Sequence, residues 1–304
     1  MERTDIKKLI NKVFQVALPL MLGAAILVWT YHGFDFRRVC EVMDGGMNYG
    51  WMLFSLVFGV FGHLFRGWRW NLALAPLGEY PKRSNSVYAI FVAYAVNLIL
   101  PRVGEVSRCG VLAKYDNVSF SKSLGTVVSE RLVDSVCVLL ITAGTLLLQT
   151  GVFARFFRVT GTDGAFFLHL FSSTNFYITL VCIVAALILL CWLVRNLTIF
   201  AKVRGMLKNV WLGCLSIRNV KHPVLYLFYT VAIWACYFLH FYLTFYCFDF
   251  SAGLGWAAGM VLFVVGSIAV IVPTPNGAGP WHFAVITMMM MYGVSKEDAG
   301  ILDR

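Results

Sequence analysis

The stretch Val87–Arg108, VYAIFVAYAVNLILPRVGEVSR, decides how the chain is threaded. Val87 to Leu100 is apolar, but a crossing helix needs roughly 20 residues and this piece falls short. It stops at Pro101, which has no N–H with which to continue a helical ladder, and charged Arg102, Glu105 and Arg108 follow. The segment either crosses the bilayer fully, short as it is, or dips in and returns, and the charges around it discriminate between the two.

On both sides lie stretches that meet the length of a spanning helix almost without charge: Val13 to Tyr31, Met47 to Phe65, Ser135 to Ala154, Ser173 to Val194 and Pro223 to Phe248. A further one, Leu254 to Val272, precedes a break at Pro273, Pro275, Gly277, Gly279 and Pro280, so that 273–292 is a broken segment ending in the apolar piece Trp281 to Tyr292. Three connections are basic: Arg66–Arg83, Arg102–Lys122 and Arg195–Lys221, the last with no acid at all. Lys and Arg collect in cytoplasmic loops. A full crossing by 87–100 would put the second and third of these loops outside, whereas a hairpin that dips in and returns leaves all three in the cytoplasm. The charge pattern therefore predicts a re-entrant hairpin over 87–108, with the chain then crossing outward through Lys122 to Ala154.

At the N-terminus, Arg3, Lys7, Lys8 and Lys12 precede the run 13–31, as in a signal peptide. The run is longer than the usual ~7–15-residue signal core and no convincing cleavage site follows, which predicts a retained first span and a cytoplasmic N-terminus.

Composition agrees with this threading. Of 304 residues 60% are hydrophobic and 13% charged, with a mean hydropathy of +0.76, against about 25% charged residues in an ordinary soluble domain. The expected fold is all-α, a polytopic transmembrane helical bundle forming a single integral membrane domain over 1–304. The excess of 25 Lys and Arg over 15 Asp and Glu would suit nucleic acid, but these residues sit in short loops between apolar runs, where topology and anionic lipid headgroups explain them. No nucleic-acid partner is expected. Eight cysteines show no CxxC pair and no His at ligand spacing; they are expected as small core residues, with no metal and no cofactor. Trp29, Trp51 and Trp192 fall near span ends, where interfacial tryptophans anchor. In the third basic loop Val203, Leu207, Val210, Trp211 and Cys214 recur at helical spacing, which predicts an amphipathic helix lying on the membrane surface.

Ionisable groups at membrane depth cost roughly 2.5–3.5 kcal/mol each on insertion scales, so they call for partners or a polar cavity. Here they cluster. Glu130 and Asp134 share a helical face, and Arg131 is placed to pair with Asp134 three positions on; Glu105 and Arg108 have the same spacing. Arg suits phosphate because its planar fork donates two parallel hydrogen bonds and keeps its charge when dehydrated. A cytoplasm-facing cavity lined by Arg102, Arg108 and Arg131, braced by Glu105, Glu130 and Asp134, would hold a lipid phosphate; the same residues could instead form an ion-pair lattice that only pins the hairpin to its neighbouring helix. The second break, with Pro273, Pro275, Asn276, Gly277 and Gly279, frees backbone groups tolerated at depth only when buried or facing a watery cavity. Paired breaks in the two halves point to a transport site, and the alternative is a simple loop between helices. His282 beside it is either a proton carrier or a hydrogen-bonded interfacial residue. HExxH, GxSxG, P-loop and dinucleotide fingerprints are absent, so no enzyme activity is expected.

Arg66-Gly67-Trp68-Arg69-Trp70, then Asn97 through Arg108 with its Pro-Arg-x-Gly-Glu-x-x-Arg element, then Glu130-Arg131 with Asp134, then the Pro-x-Pro-x-Gly-x-Gly loop at 273–279 occur in an order that resembles the lysylphosphatidylglycerol synthase transmembrane-domain family, also called flippase-like. The resemblance covers nearly the whole chain. It implies an all-helical domain of the bacterial or archaeal cytoplasmic membrane, similar to the part of that synthase which moves an aminoacylated lipid between leaflets, and it adds Arg66 and Arg69 to the headgroup-binding set. The synthase's soluble aminoacyl-transferring domain has no counterpart here. Two features depart from the family pattern: Asn276 stands where Gly is usual, and the chain stops at Arg304 where relatives tend to continue through further hydrophobic sequence, which leaves open a truncated C-terminus or an incomplete second repeat.

The expected function is that of a lipid transporter or flippase-like protein binding an anionic phospholipid or polyprenyl-phosphate headgroup. The alternative is a non-transporting scaffold or partner of an envelope lipid- or glycan-modifying enzyme.

Overall fold

A computed structural model of the chain describes residues 47–98, 102–151, 198–272, 274 and 277–302, with Met21 and Val28 besides. The expected crossings at 13–31 and 173–194 otherwise lie outside the described residues. Among the described residues there are ten α-helices and no strand: α1 Tyr49–Leu74, α2 Arg83–Asn97, α3 Gly104–Tyr115, α4 Phe120–Leu148, α5 Thr198–Leu215, α6 Pro223–Leu243, α7 Asp249–Ala252, α8 Gly255–Ala269, α9 Pro280–Met291 and α10 Lys296–Leu302. Three helical stretches are long and apolar enough to cross a membrane: Tyr49–Leu77, Phe120–Leu148 and Pro223–Cys247.

Helix α1 starts where the Asn48 side chain accepts hydrogen bonds from the N–H groups of Gly50 and Trp51, at 3.0 and 3.4 Å, an N-cap that satisfies two of the helix's orphan donors. Its 26 residues rise about 39 Å, more than the ~30 Å hydrocarbon core needs. The sequence pattern ended this span at Phe65 and began a basic loop at Arg66. Instead the helix runs on through Arg66 and Arg69, both buried, because carboxylates on α4 match the two guanidinium groups and the charge gives the helix no reason to stop. Helix α4 likewise takes in residues from Phe120 onward, so Asp134 is the central residue of its 29.

The described residues of 87–108 belong mostly to α2 and α3, which pack side by side, with α1 against α2; Ile99, Leu100 and Pro101 lie outside the described residues. These helices have 15 and 12 residues, about 22 and 18 Å long, each less than the thickness of a hydrocarbon core. Gly104, the first residue of α3, lets the two helices come close: its N–H donates to the Asn97 side chain at 2.9 Å, and a Cβ there would collide with the Ala93 carbonyl. Gly104→Leu should prise α3 off α2, an overpacking penalty of about 1–3 kcal/mol, visible as a lower melting temperature of the detergent-solubilised protein. Gly110→Ala, on the same helix but facing open space, should melt like the wild type.

Helix α5 packs along α4 rather than standing apart from it. Gly125 and Gly213 meet there, and a Cβ on Gly125 would strike the Val210 carbonyl; small residues let two helix backbones come this close. Cys214 faces the same contact, its thiol donating to the Gly125 carbonyl at 3.5 Å, whereas Trp211 is 63% exposed. The apolar stripe read from the sequence is therefore split between the α4 contact and the outer surface.

The run 254–272 forms α8, only 15 residues long, and α9 after it has 12, so a second pair of short apolar helices packs together. Between them Gly277 and Gly279 take φ values of 76° and 93°, conformations that a side chain would strain. Pro273, Pro275 and Asn276 lie outside the described residues. Three apolar clusters hold the described parts together: Trp70, Leu74, Ala89, Ile90, Cys109, Leu112 and their neighbours join α1, α2, α3 and α4, Phe245, Val261, Leu262, Val285, Ile286, Met288 and Met289 join the end of α6 to α8, α9 and α10, and a smaller one of Cys247, Phe248 and Ile301 packs against Met47 and Met52 at the start of α1. Helix α6 connects the first two, lying along α1 and touching α8.

Candidate functional site

Residues three or four apart on a helix share a face. That rule puts Arg66 and Arg69 together on α1, and Glu130 and Asp134 together on α4. The two faces meet as a lattice of buried ion pairs. Asp134 receives Arg66 at 3.0 Å and Arg69 at 2.8 Å, and Arg69 also lies 3.5 Å from Glu130. Arg108 reaches in from α3 to the other oxygen of Glu130 at 2.6 Å. Arg69 donates further to the Thr230 hydroxyl on α6 at 3.3 Å, and Arg66 to the hydroxyls of Tyr94 and Tyr237 at 3.0 and 3.4 Å. The Arg108 guanidinium stacks 4.6 Å from the Trp70 ring, whose own N–H is spent on Thr126 at 2.8 Å. A cation held this way keeps its charge in apolar surroundings.

Above the lattice the pairing loosens. Arg131 lies 3.0 Å from Glu105 and 3.8 Å from Asp134, and both Arg131 and Glu105 are partly exposed. Arg102, in a left-handed conformation with φ of 64°, sends its Nη2 to the Ile271 carbonyl at 2.8 Å, tying the α2–α3 turn to the end of α8. Arg66, Arg102, Glu105, Arg108 and Arg131 line a cavity of about 260 Å³, together with Ile90, Ala93, Tyr94, Asn97, Val270, Val272, Thr274 and Gly277. The turn between α2 and α3 and the break between α8 and α9 thus border one space.

Among the described residues, four buried polar atoms on the cavity's lining residues have no hydrogen-bond partner: Arg108 Nε and Nη1, the Thr274 hydroxyl, and Arg131 Nε, which has only its ion-pair contact with Glu105. Arg108 is 2% exposed. Leaving a buried donor unmade costs about 1–3 kcal/mol, more for a charged group, so an acceptor that reached the Arg108 guanidinium would gain that much. A cavity with convergent guanidinium groups offers charge-assisted hydrogen bonds to an oxyanion, and the planar fork suits phosphate or carboxylate oxygens.

The structure brings together all eight charged residues singled out in the sequence, with a division of labour that the spacing did not give. Arg66, Arg102, Glu105, Arg108 and Arg131 line the cavity, while Arg69, Glu130 and Asp134 lie behind it. The neighbour-in-sequence pairs are mostly exchanged for pairs between helices: Glu105 takes Arg131 rather than Arg108, and Arg108 takes Glu130. Of the broken-loop residues, Gly277 lines the cavity. His282 accepts the Gly279 N–H at 3.3 Å, a capping contact at the start of α9. Tyr94 and Asn97 were missed, although with Ile90 they recur at helical spacing and are the polar members of an otherwise apolar face. Tyr237, 171 residues from Arg66, left no local signal.

Residues 16–302 match the family model described as the lysylphosphatidylglycerol synthase TM region. Comparison with curated proteins finds no match, and neither does comparison with solved structures.

Proposed function

Because this chain belongs to the lysylphosphatidylglycerol synthase transmembrane family, an all-α family of membrane proteins, we propose that it is a flippase-like lipid transporter. Its cavity receives the anionic headgroup of a phospholipid or polyprenyl phosphate from the cytoplasmic side of the cell membrane. The observation that carries this is Arg108: a buried guanidinium with two unpartnered nitrogens, at the wall of a cavity that three further arginines also line. The basic connections seen in the sequence support a cytoplasmic N-terminus, and the chain performs no covalent chemistry on its lipid. The two bordering breaks suit transport, because pairs of interrupted helices are where membrane transporters hold substrate.

The test is leaflet exchange of fluorescent phosphatidylglycerol and polyprenyl phosphate in liposomes, with the wild type beside an Arg102→Ala, Arg131→Ala double variant. Both side chains sit at the looser edge of the lattice, so the variant should keep its helical circular dichroism and melting temperature. Exchange should fall at least about tenfold, the loss expected when charge-assisted hydrogen bonds to a phosphate disappear. Wild-type exchange no faster than in empty liposomes would overturn the transport reading in favour of a scaffold for a membrane enzyme.

A further inference from the structure

The charge around the cavity bears on which phosphate it takes. Helix α1 brings Arg66 and Arg69, the α2–α3 turn Arg102, α3 Glu105 and Arg108, and α4 Glu130, Arg131 and Asp134. Of the other packed elements, α2 contributes Tyr94 and α6 contributes Tyr226, whose ring lies 5.7 Å from the Arg69 guanidinium, and Tyr237, with His63 of α1 in reach of the Tyr237 hydroxyl at 3.4 Å, and none of these is formally charged when His63 is neutral. Ile99, Leu100, Pro101, Pro273, Pro275 and Asn276, outside the described residues, carry no ionisable side chain either. Five arginines against three carboxylates leave a net charge of +2 among the described residues. Arginine cannot shed its proton to relieve this, and in surroundings less polarisable than water the imbalance acts strongly on whatever enters.

A phosphodiester headgroup brings one negative charge and leaves one positive charge uncompensated. A terminal phosphate monoester brings up to two. The donors fit that difference: Arg108 has two nitrogens without a hydrogen-bond partner, and Arg102, exposed and bonded to the Ile271 carbonyl, has no carboxylate partner among the described residues. Together they offer donors to more than one oxygen of a terminal phosphate, whereas a diester has already spent one oxygen on its second ester bond.

We infer that the cavity is built for a dianionic phosphate monoester, at the end of a lipid, in preference to phosphodiester or zwitterionic headgroups. The inference rests on the headgroup-binding reading above and narrows it.

The test is binding to the full chain in detergent of three probes: dioctanoyl phosphatidic acid, dioctanoyl phosphatidylglycerol and water-soluble glycerol 3-phosphate. The monoester lipid should bind at least about tenfold tighter than the diester near pH 8, and the ratio should shrink toward one near pH 5, because the second ionisation of a phosphate monoester lies near pH 6. Protonation of His63 or Glu105 on acidification adds positive charge that a dianion feels more than a monoanion and would widen the ratio, so a ratio that shrinks reports the phosphate's own second ionisation. Arg102→Gln, which lowers the net charge without opening the buried lattice, should cut the preference several-fold; equal weakening of both lipids by this variant would overturn the charge-matching inference. Equal affinity of the two lipids at both pH values would overturn the inference and leave headgroup binding standing. Glycerol 3-phosphate binding as tightly as phosphatidic acid would keep the monoester and overturn the lipid as its source. Binding of none of the three would overturn the headgroup reading itself.

Discussion

Arg69→Met is expected to be among the most damaging single substitutions in this chain. Arg69 is fully buried and is the cation that both α4 carboxylates share, at 2.8 Å from Asp134 and 3.5 Å from Glu130. Methionine fills a similar volume, so the loss is electrostatic rather than a cavity. Asp134 is left with Arg66, its Oδ1 short of a donor, and Glu130 with Arg108, having lost the second cation beside its Oε1. Removing one partner of a buried pair typically costs about 3–5 kcal/mol, because the stranded charge cannot reach water. The melting temperature in detergent should fall by on the order of 10 °C. Arg69→Lys should fall between the two, since a single ammonium cannot serve Asp134, Glu130 and Thr230 as a fork does. Arg131→Met is the internal control: it is 43% exposed at the side chain, and pairs of that kind contribute about 0–1 kcal/mol. If Arg69→Met melts with the control, the lattice is not what holds α1 to α4.

Much of this arrangement is legible in the sequence, because it follows from spacing along helices. Glu130 and Asp134 had to share a face, and the excess of charge over what lipid tolerates had to be gathered somewhere. The end of α2 before Pro101 is legible too, since Pro101 forbids the ladder from continuing. What spacing could not give was the partner across helices. Arg66 and Arg69 looked like the start of a basic loop because nothing in their own neighbourhood carries opposite charge; their counter-ions lie more than sixty positions away. For the same reason Glu105 and Arg108 looked like each other's partners, although each found a closer one on α4. The broken segment shows the converse limit. Its glycines announced a backbone irregularity, and Gly277 and Gly279 do take positive φ, but that the irregularity would border the α2–α3 turn through the Arg102 contact with Ile271 depends on tertiary packing alone.

The two roles open to the charged residues, pinning the hairpin or binding a headgroup, come apart at Arg108 and Glu130. Glu130→Leu alone strands Arg108 and leaves Arg69 with Asp134 as its one close carboxylate, at 2.8 Å, and should cost about 3–5 kcal/mol. Adding Arg108→Met removes the stranded cation and restores an apolar contact beside Trp70. Buried pairs replaced by well-packed apolar residues are often neutral or stabilising, so the double variant should recover most of the melting temperature lost in the single one. The net charge of the cluster is the same in the double variant as in the wild type, because one cation and one anion leave together. Any remaining difference in headgroup binding then belongs to the Arg108 guanidinium itself and not to the cavity's overall field. Headgroup affinity should drop at least about tenfold in the double variant despite its restored stability. A double variant that is both stable and fully competent to bind would mean that Arg108 serves only to dock α3 on α4. In that case its two unpartnered nitrogens would have to be satisfied by water, and the binding energy would have to come from Arg66, Arg102 and Arg131 alone.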